Sequence, residues 1–188
     1  MLTFNNRTFE DLLRSLRQDA INEGEHISGD AIERLDPSTK AKDIVLTHKP
    51  LLPELDTESI WVDPLEIRST SNPRVQLEFN VSLKHKSKFL INYQPTPALT
   101  VPISVSESSL IFTYSVCYNF DPEETRTHFR SDLESVRQYL QNLETKTTAW
   151  STELTAELAA QIRKRQSPTK SLAAKIEELG YPTTDPRE

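Results

Sequence analysis

Between Pro122 and Pro168 the chain holds no glycine and no proline. Within that run apolar residues recur at Phe129, Leu133, Val136, Leu140, Leu143, Trp150 and Leu154, in steps of three and four once Thr147 is counted between Leu143 and Trp150. The seam drifts on to Leu158 and Ile162. This is the pattern of an amphipathic helix with one wet face and one that must be covered. At 1.5 Å per residue such a helix runs to about 60 Å, longer than a domain of this size is wide. The sequence therefore predicts that it bends, reaches out to a partner, or breaks into a helical hairpin.

The rest of the chain must be read around that helix. Its 188 residues suffice for one domain with a core, or for a domain with a helical extension. Three glycines against twelve prolines leave no GxGxxG and no GxxxxGK[ST] phosphate loop. The single cysteine, Cys117, excludes an intrachain disulfide and a multi-cysteine zinc site. No basic-then-apolar leader is visible, and no apolar run approaches the ~18 residues of a membrane span. A reducing cytoplasm is the expected compartment. The net charge of -6 argues against a dedicated duplex-binding protein, whose affinity comes from neutralising phosphates.

In chain order, Thr8 is placed to cap a first helix, with Asp11 three residues on. Phe9, Leu12, Leu13, Leu16 and Ala20 form its apolar face, and Gly24 is expected to end it. Asp30 to Leu35 reads as a short helical turn stopped by Asp36-Pro37. Lys40 to Thr57 reads as an irregular strap, with Pro50 and Pro53 against a central strand. From Ile60 the period changes to two. Ile60, Val62, Leu65 and Ile67 predict a strand interrupted at Asp63-Pro64, as a bulge or an edge. Val75, Leu77, Phe79, Val81 and Leu83 alternate strictly with polar residues, the pattern of an antiparallel strand with one buried face. The turn Lys84–Lys88 and the residues Phe89, Ile91 and Tyr93 predict its hairpin partner. Leu99 to Val105 resumes as a short strand. Leu110 to Phe120 is apolar on both faces and is expected to lie centrally. Asp121 and Pro122 cap the long helix, with Glu123 and Glu124 on its positive end. Thr145, Thr147 and Thr148 mark its expected bend or break. Ser167-Pro168 is expected to start a short final helix carrying Leu172, Ile176 and Leu179.

The expected class is α+β: an N-terminal helix, a mainly antiparallel sheet of four to five strands, and a long C-terminal amphipathic helix or helical hairpin. Residues 1–58 form a helical segment and strap, 59–120 the sheet, and 121–182 the long helix plus a short C-terminal helix. Together these make one domain with a helical extension, and 183–188 form a loose tail.

No local pattern carries catalytic chemistry. Glu144-Thr145-Lys146 spells the tail of a metal-dependent nuclease site, but on a helix rather than the strand that would aim both side chains at one metal-bound water. His128 shares a helix face with Glu124 and Asp132, where a solvated charged face is the ordinary outcome. Tyr93, Tyr114 and Tyr118 could stack bases but suit a half-buried sheet. Two basic clusters could touch nucleic-acid phosphates: Lys84, Lys86 and Lys88 in the hairpin, and Arg163, Lys164 and Arg165 at the helix end. The seam residues Trp150, Leu154, Leu158 and Ile162 lie beyond what the sheet can cover. A second copy of the chain is expected to cover them, the rival being a hairpin bend at Thr145–Thr148 that buries Trp150 within one chain.

One resemblance draws on most of the chain. Pro50-Leu51-Leu52, the alternating strand Val75–Leu83, the Pro95–Pro97 turn, Leu110–Tyr114 and Asp121-Pro122-Glu123 occur in one order. Tyr139-Leu140, Leu154, Ile162-Arg163-Lys164-Arg165 and Leu179-Gly180-Tyr181-Pro182 follow. The run resembles a non-catalytic N-terminal region of bacterial proteins that continue into a PD-(D/E)XK-type nuclease domain. It departs from that pattern at the hairpin tip, Lys84–Ser87, and at Trp150-Ser151. The resemblance implies a non-catalytic scaffold in a bacterial, phage-defence-like nuclease system, acting by protein–protein contacts. The partners implied are a homo-dimer, a partner protein on the long helix, or a nuclease domain or subunit. No cofactor, metal or catalytic residue is implied. The alternative reading is a nucleic-acid-binding module that uses the two basic clusters.

Overall fold

Residues 8–67, 74–84 and 103–178 are described by a computed structural model. In chain order the elements are α1 (Phe9–Glu25), α2 (Gly29–Arg34), α3 (Pro37–His48), β1 (Leu55–Ile67), β2 (Arg74–Leu83), β3 (Ile103–Val105), β4 (Ser109–Cys117) and α4 (Pro122–Glu178). The fold is α+β, with helices ahead of a four-stranded antiparallel sheet and one long helix after it.

Three of the helices start on a side-chain oxygen. At α1, Thr8 Oγ1 accepts from the Asp11 N–H at 3.2 Å and Asp11 Oδ2 accepts from the Thr8 N–H at 3.0 Å, a reciprocal capping box. At α4, Asp121 Oδ1 accepts from the Glu123 N–H at 2.9 Å, ahead of Pro122 in the first turn. At α3, Asp36 Oδ2 accepts from the Thr39 N–H at 2.7 Å, again with proline next. This third cap corrects the reading of Lys40–Thr57 as an irregular strap. Asp36-Pro37 does not only stop the turn before it; it starts a twelve-residue helix with Ala41, Ile44 and Val45 buried.

Gly24 also plays a different part from the one expected. Helix α1 passes through it to Glu25, and a Cβ at this position would lie 3.0 Å from Leu158 Cδ2. The glycine serves a close helix–helix approach. The carbonyls at the end of α1 are met instead by Arg165, whose guanidinium donates to Gly24 O at 2.8 Å and Ile27 O at 2.7 Å.

The long helix neither breaks nor restarts. It continues through Thr145–Thr148, the place named for a bend or break, with no break there, and through Ser167-Pro168, where a new helix was expected. The physical reason at the first point is visible. Thr145 Oγ1 donates to Gln141 O and Thr152 Oγ1 to Thr148 O, both at 3.0 Å. A hydroxyl turned back on the carbonyl one turn earlier is satisfied inside the helix, at a slight cost in stability, and does not by itself end it. A single proline deletes one ladder bond and can sit in a helix that continues past it.

The described residues pack as two compact units. One draws on Met1–Leu12 and Pro50–Lys146, the other on Leu13–Lys49 and Thr147–Glu188. The units thus cut across the sequential segments, and α4 changes unit between Lys146 and Thr147, within the stretch where the sequence predicted a break.

In the first unit the strand order is β1-β2-β4-β3. Strand β4 is central, as its two apolar faces predict. Strand β1 is an edge, which accommodates Pro64. The register shift lies at Asp56–Ile60 rather than at Asp63-Pro64. Strand β2 pairs with β1 along one side and β4 along the other over its length. Residues 89–94, expected as its hairpin partner, lie outside the described residues; the preceding strand, β1, is its neighbour on one side. Residues 85–102, including the Pro95–Pro97 turn, lie outside those described. One sheet face carries Leu77, Val81, Leu83, Leu110 and Phe112, all buried. The first turns of α4 pack there through Phe129, which stacks on Phe79 (centroids 4.4 Å apart, planes 18° apart) and meets Phe112 edge-on at 5.3 Å. Phe79, expected to be buried like its strand neighbours, is only half-buried.

In the second unit the seam residues Trp150, Leu154, Leu158, Ala159 and Ile162 cluster with Ala20, Ile32, Ala41, Ile44 and Val45, and Leu13, Leu16, Ile21 and Ile27 pack around them. Trp150 Nε1 donates to Leu13 O at 3.1 Å. Gln166, at the end of the same face, donates to Ile32 O at 2.6 Å and Leu35 O at 2.9 Å. Helices α1, α2 and α3 supply the cover that a second copy was expected to supply. Trp150, Leu154, Leu158 and Ile162 are therefore core residues here and not a surface for self-association.

Candidate functional site

Within the first unit, a groove of about 570 Å³ opens between β1 and the first turns of α4. Its sheet wall is Thr57, Ile60, Val62 and Phe79; its helix wall is Phe129 and Leu133. Arg126, Arg130, Glu134 and Arg137 stand along the same helix. The local causes are simple. Ile60 and Val62 are two residues apart on a strand and share its face. Arg126, Arg130 and Arg137 are spaced by four and seven, which keeps them on one flank of the helix beside the buried stripe.

The electrostatics of the groove oppose those of the chain. Three of its lining residues are arginines and one is a glutamate, whereas the chain as a whole carries -6. Arg126 pairs with Glu123 at 2.5 Å and Arg137 with Glu134 at 3.4 Å. Both pairs are exposed, and such pairs contribute only about 0–1 kcal/mol, so an incoming carboxylate can replace them. No side-chain partner of Arg130 occurs among the described residues. Arginine rather than lysine throughout favours planar, two-toothed recognition of carboxylate. The apolar floor is accessible too, since Val62 remains 44% exposed.

The bulge that shapes the sheet wall is held by Asp56. Its Oδ1 accepts from the Glu58 N–H at 3.1 Å. Its bond to the Ser59 side chain is the largest of several interactions that hold the carboxyl below its ordinary range. Behind the groove, Tyr114 Oη donates to Asp132 Oδ2 at 2.5 Å. Burial first, and that bond second, push the phenol well above its ordinary range.

The structure scatters the sequence candidates or assigns them to internal ties. Lys84 pairs with Glu54, and this bond raises its pKa; Lys86 and Lys88 lie outside the described residues. Arg163 donates to Ser38 Oγ at 3.0 Å, and Arg165 holds the end of α1 as described above. Lys164 is exposed. Glu144 and Lys146 are on a helix, with Lys146 Nζ 2.5 Å from Glu10 Oε1. Asp132 is engaged by Tyr114, and His128 is exposed. No group of three or more His, Cys, Asp or Glu side chains is placed to hold a metal ion among the described residues. Tyr118 is exposed, and Tyr93 lies outside the described residues.

No family model, no curated protein and no solved structure matches the chain. The groove therefore stands on its geometry alone. Sequence reasoning missed it because it looked for runs of basic residues. The usable signal was arginine at helical spacing along the flank of the seam.

Proposed function

We propose that the chain is a non-catalytic interaction module that binds a partner protein in the groove between β1 and α4. The observation that carries this reading is the groove itself: an open apolar floor bordered by three arginines in a chain of net charge -6. Among the described residues its lining holds no histidine, cysteine, serine or lysine, and the one carboxylate among them, Glu134, is paired with Arg137. That set of residues suits recognition better than turnover. A nucleic-acid role draws less support, because Lys84, Arg163 and Arg165 are each bonded within their own unit. The resemblance to the non-catalytic region of bacterial nuclease proteins makes a nuclease domain or subunit the first partner to try.

Site-specific crosslinking tests the reading. A photoreactive residue at Val62, with Leu46 as an exposed control in the other unit, is introduced into the chain in its native cells. The expected result is one protein partner captured from Val62 and not from Leu46, and lost when Arg130→Glu is added. Equal capture from both positions would contradict it. So would Mg²⁺-dependent nuclease activity of the purified chain that disappears in Glu144→Ala.

A further inference from the structure

We infer that the partner enters as an extended acidic segment that adds to the free edge of β1 as a new strand; this rests on the interaction reading above and names its chemistry. Among the described residues, β1 is the outermost strand, pairs with β2 alone and has no backbone bond on its other edge. An unpaired edge presents a row of N–H and C=O groups that a peptide in β conformation can satisfy. The bulge at Asp56–Ile60 bounds this edge on one side, and Pro64, which has no N–H, blunts it on the other. The stretch between them, Ile60 to Asp63, is the stretch beside the groove.

Alternation then sets what the new strand can carry. Side chains of an added strand point alternately to the two faces of the sheet. Those on the groove face stand beside Ile60 and Val62 and face Arg126, Arg130 and Arg137 on the helix. Apolar side chains fill the floor, and carboxylates reach the guanidiniums. The opposite face of β1 presents Trp61 and Asp63, where Asp63 accepts from Trp61 Nε1 and Asn80 Nδ2, each at 3.1 Å. A carboxylate on that face would meet Asp63, so acidic residues belong at every second position only. A second copy of β1 fits less well: between the bulge and Pro64 its matching face offers only Ile60 and Val62, with no charge for the arginines. The occupant is therefore an acidic partner segment and not another β1.

The test uses the full chain and a fluorescein-labelled synthetic peptide of about eight residues, with Glu and Leu at alternate positions and Thr between them. Anisotropy should show saturable binding. Arg130→Glu, an exposed position, should weaken it at least about tenfold, with unchanged circular dichroism. Methylating alternate backbone amides of the peptide should also weaken it at least about tenfold, since this removes strand pairing and leaves every side chain in place. A version with Lys in place of Glu should not bind. If the methylated peptide binds as tightly as the parent, strand addition is wrong while the groove remains a protein-binding site. If Arg130→Glu has no effect, or no peptide binds, both readings fail. A doubling of sedimenting mass that depends on Val62 would assign the edge to a second copy instead and overturn the proposal.

Discussion

At the scale of single residues, the caps and ion pairs give the sharpest tests. Thr8 closes a capping box with Asp11, so Thr8→Ala should lower stability by about 1 kcal/mol in urea melts. Glu10 is held below its ordinary value of 4.5, first by the hydrogen bond from Lys146. A depressed carboxyl adds stability that is complete above its unfolded value and vanishes as the pH falls through the native one. Wild type should therefore be more stable than Lys146→Met at pH 7. The gap should close as the pH drops from about 4.5 toward the lowered native value, and thermal melts across that range check it. The phenol of Tyr139, raised to about 12 chiefly by burial, stays neutral throughout. Much at this scale was legible in the sequence. Thr8-Asp11 and Asp121-Pro122 were read as caps because a short polar residue followed by an acidic or proline first turn has one ready use. Asp36-Pro37 has the same grammar, but it was read only as a stop, since proline ends one helix as readily as it starts another.

At the scale of elements, burial decides. Leu158 is fully buried in the seam cluster, so Leu158→Ala should cost about 2–5 kcal/mol. Leu46, on the exposed side of α3, should tolerate serine within about 0.5 kcal/mol. Phe79→Ala should fall near or below about 3 kcal/mol, because the ring is half-buried against Phe129. Denaturant melts of the three variants would expose an error if Leu46→Ser were the costliest. Period-two alternation placed β2 and β4, and the helical period placed the buried face of α4. Pairing partners were not legible. Alternation states which face is buried but not which strand lies alongside, so the pairing of β2 with β1 and β4 went unread. The continuity of α4 was equally hidden, because threonine propensity says nothing about hydroxyls that bond back along their own helix.

At the scale of the molecule, two compact units each have their own buried cluster, and one long helix contributes to both. The sequence supplied the seam but not its cover. A strip from Trp150 to Ile162 looks unpartnered until α1, α2 and α3 are seen against it. Sedimentation at micromolar concentration should accordingly give the mass of one chain. The candidate site was the least legible part, for a geometric reason: Val62, Phe79 and Arg130 meet only after three elements have packed. Hydrogen exchange of the full chain, with and without the acidic alternating peptide, tests the groove most directly. The account predicts added protection in β1 from Ile60 to Asp63 and in α4 from Arg126 to Arg137, and little elsewhere. Protection that falls on residues 163–165 or on α3, with β1 unchanged, would contradict it.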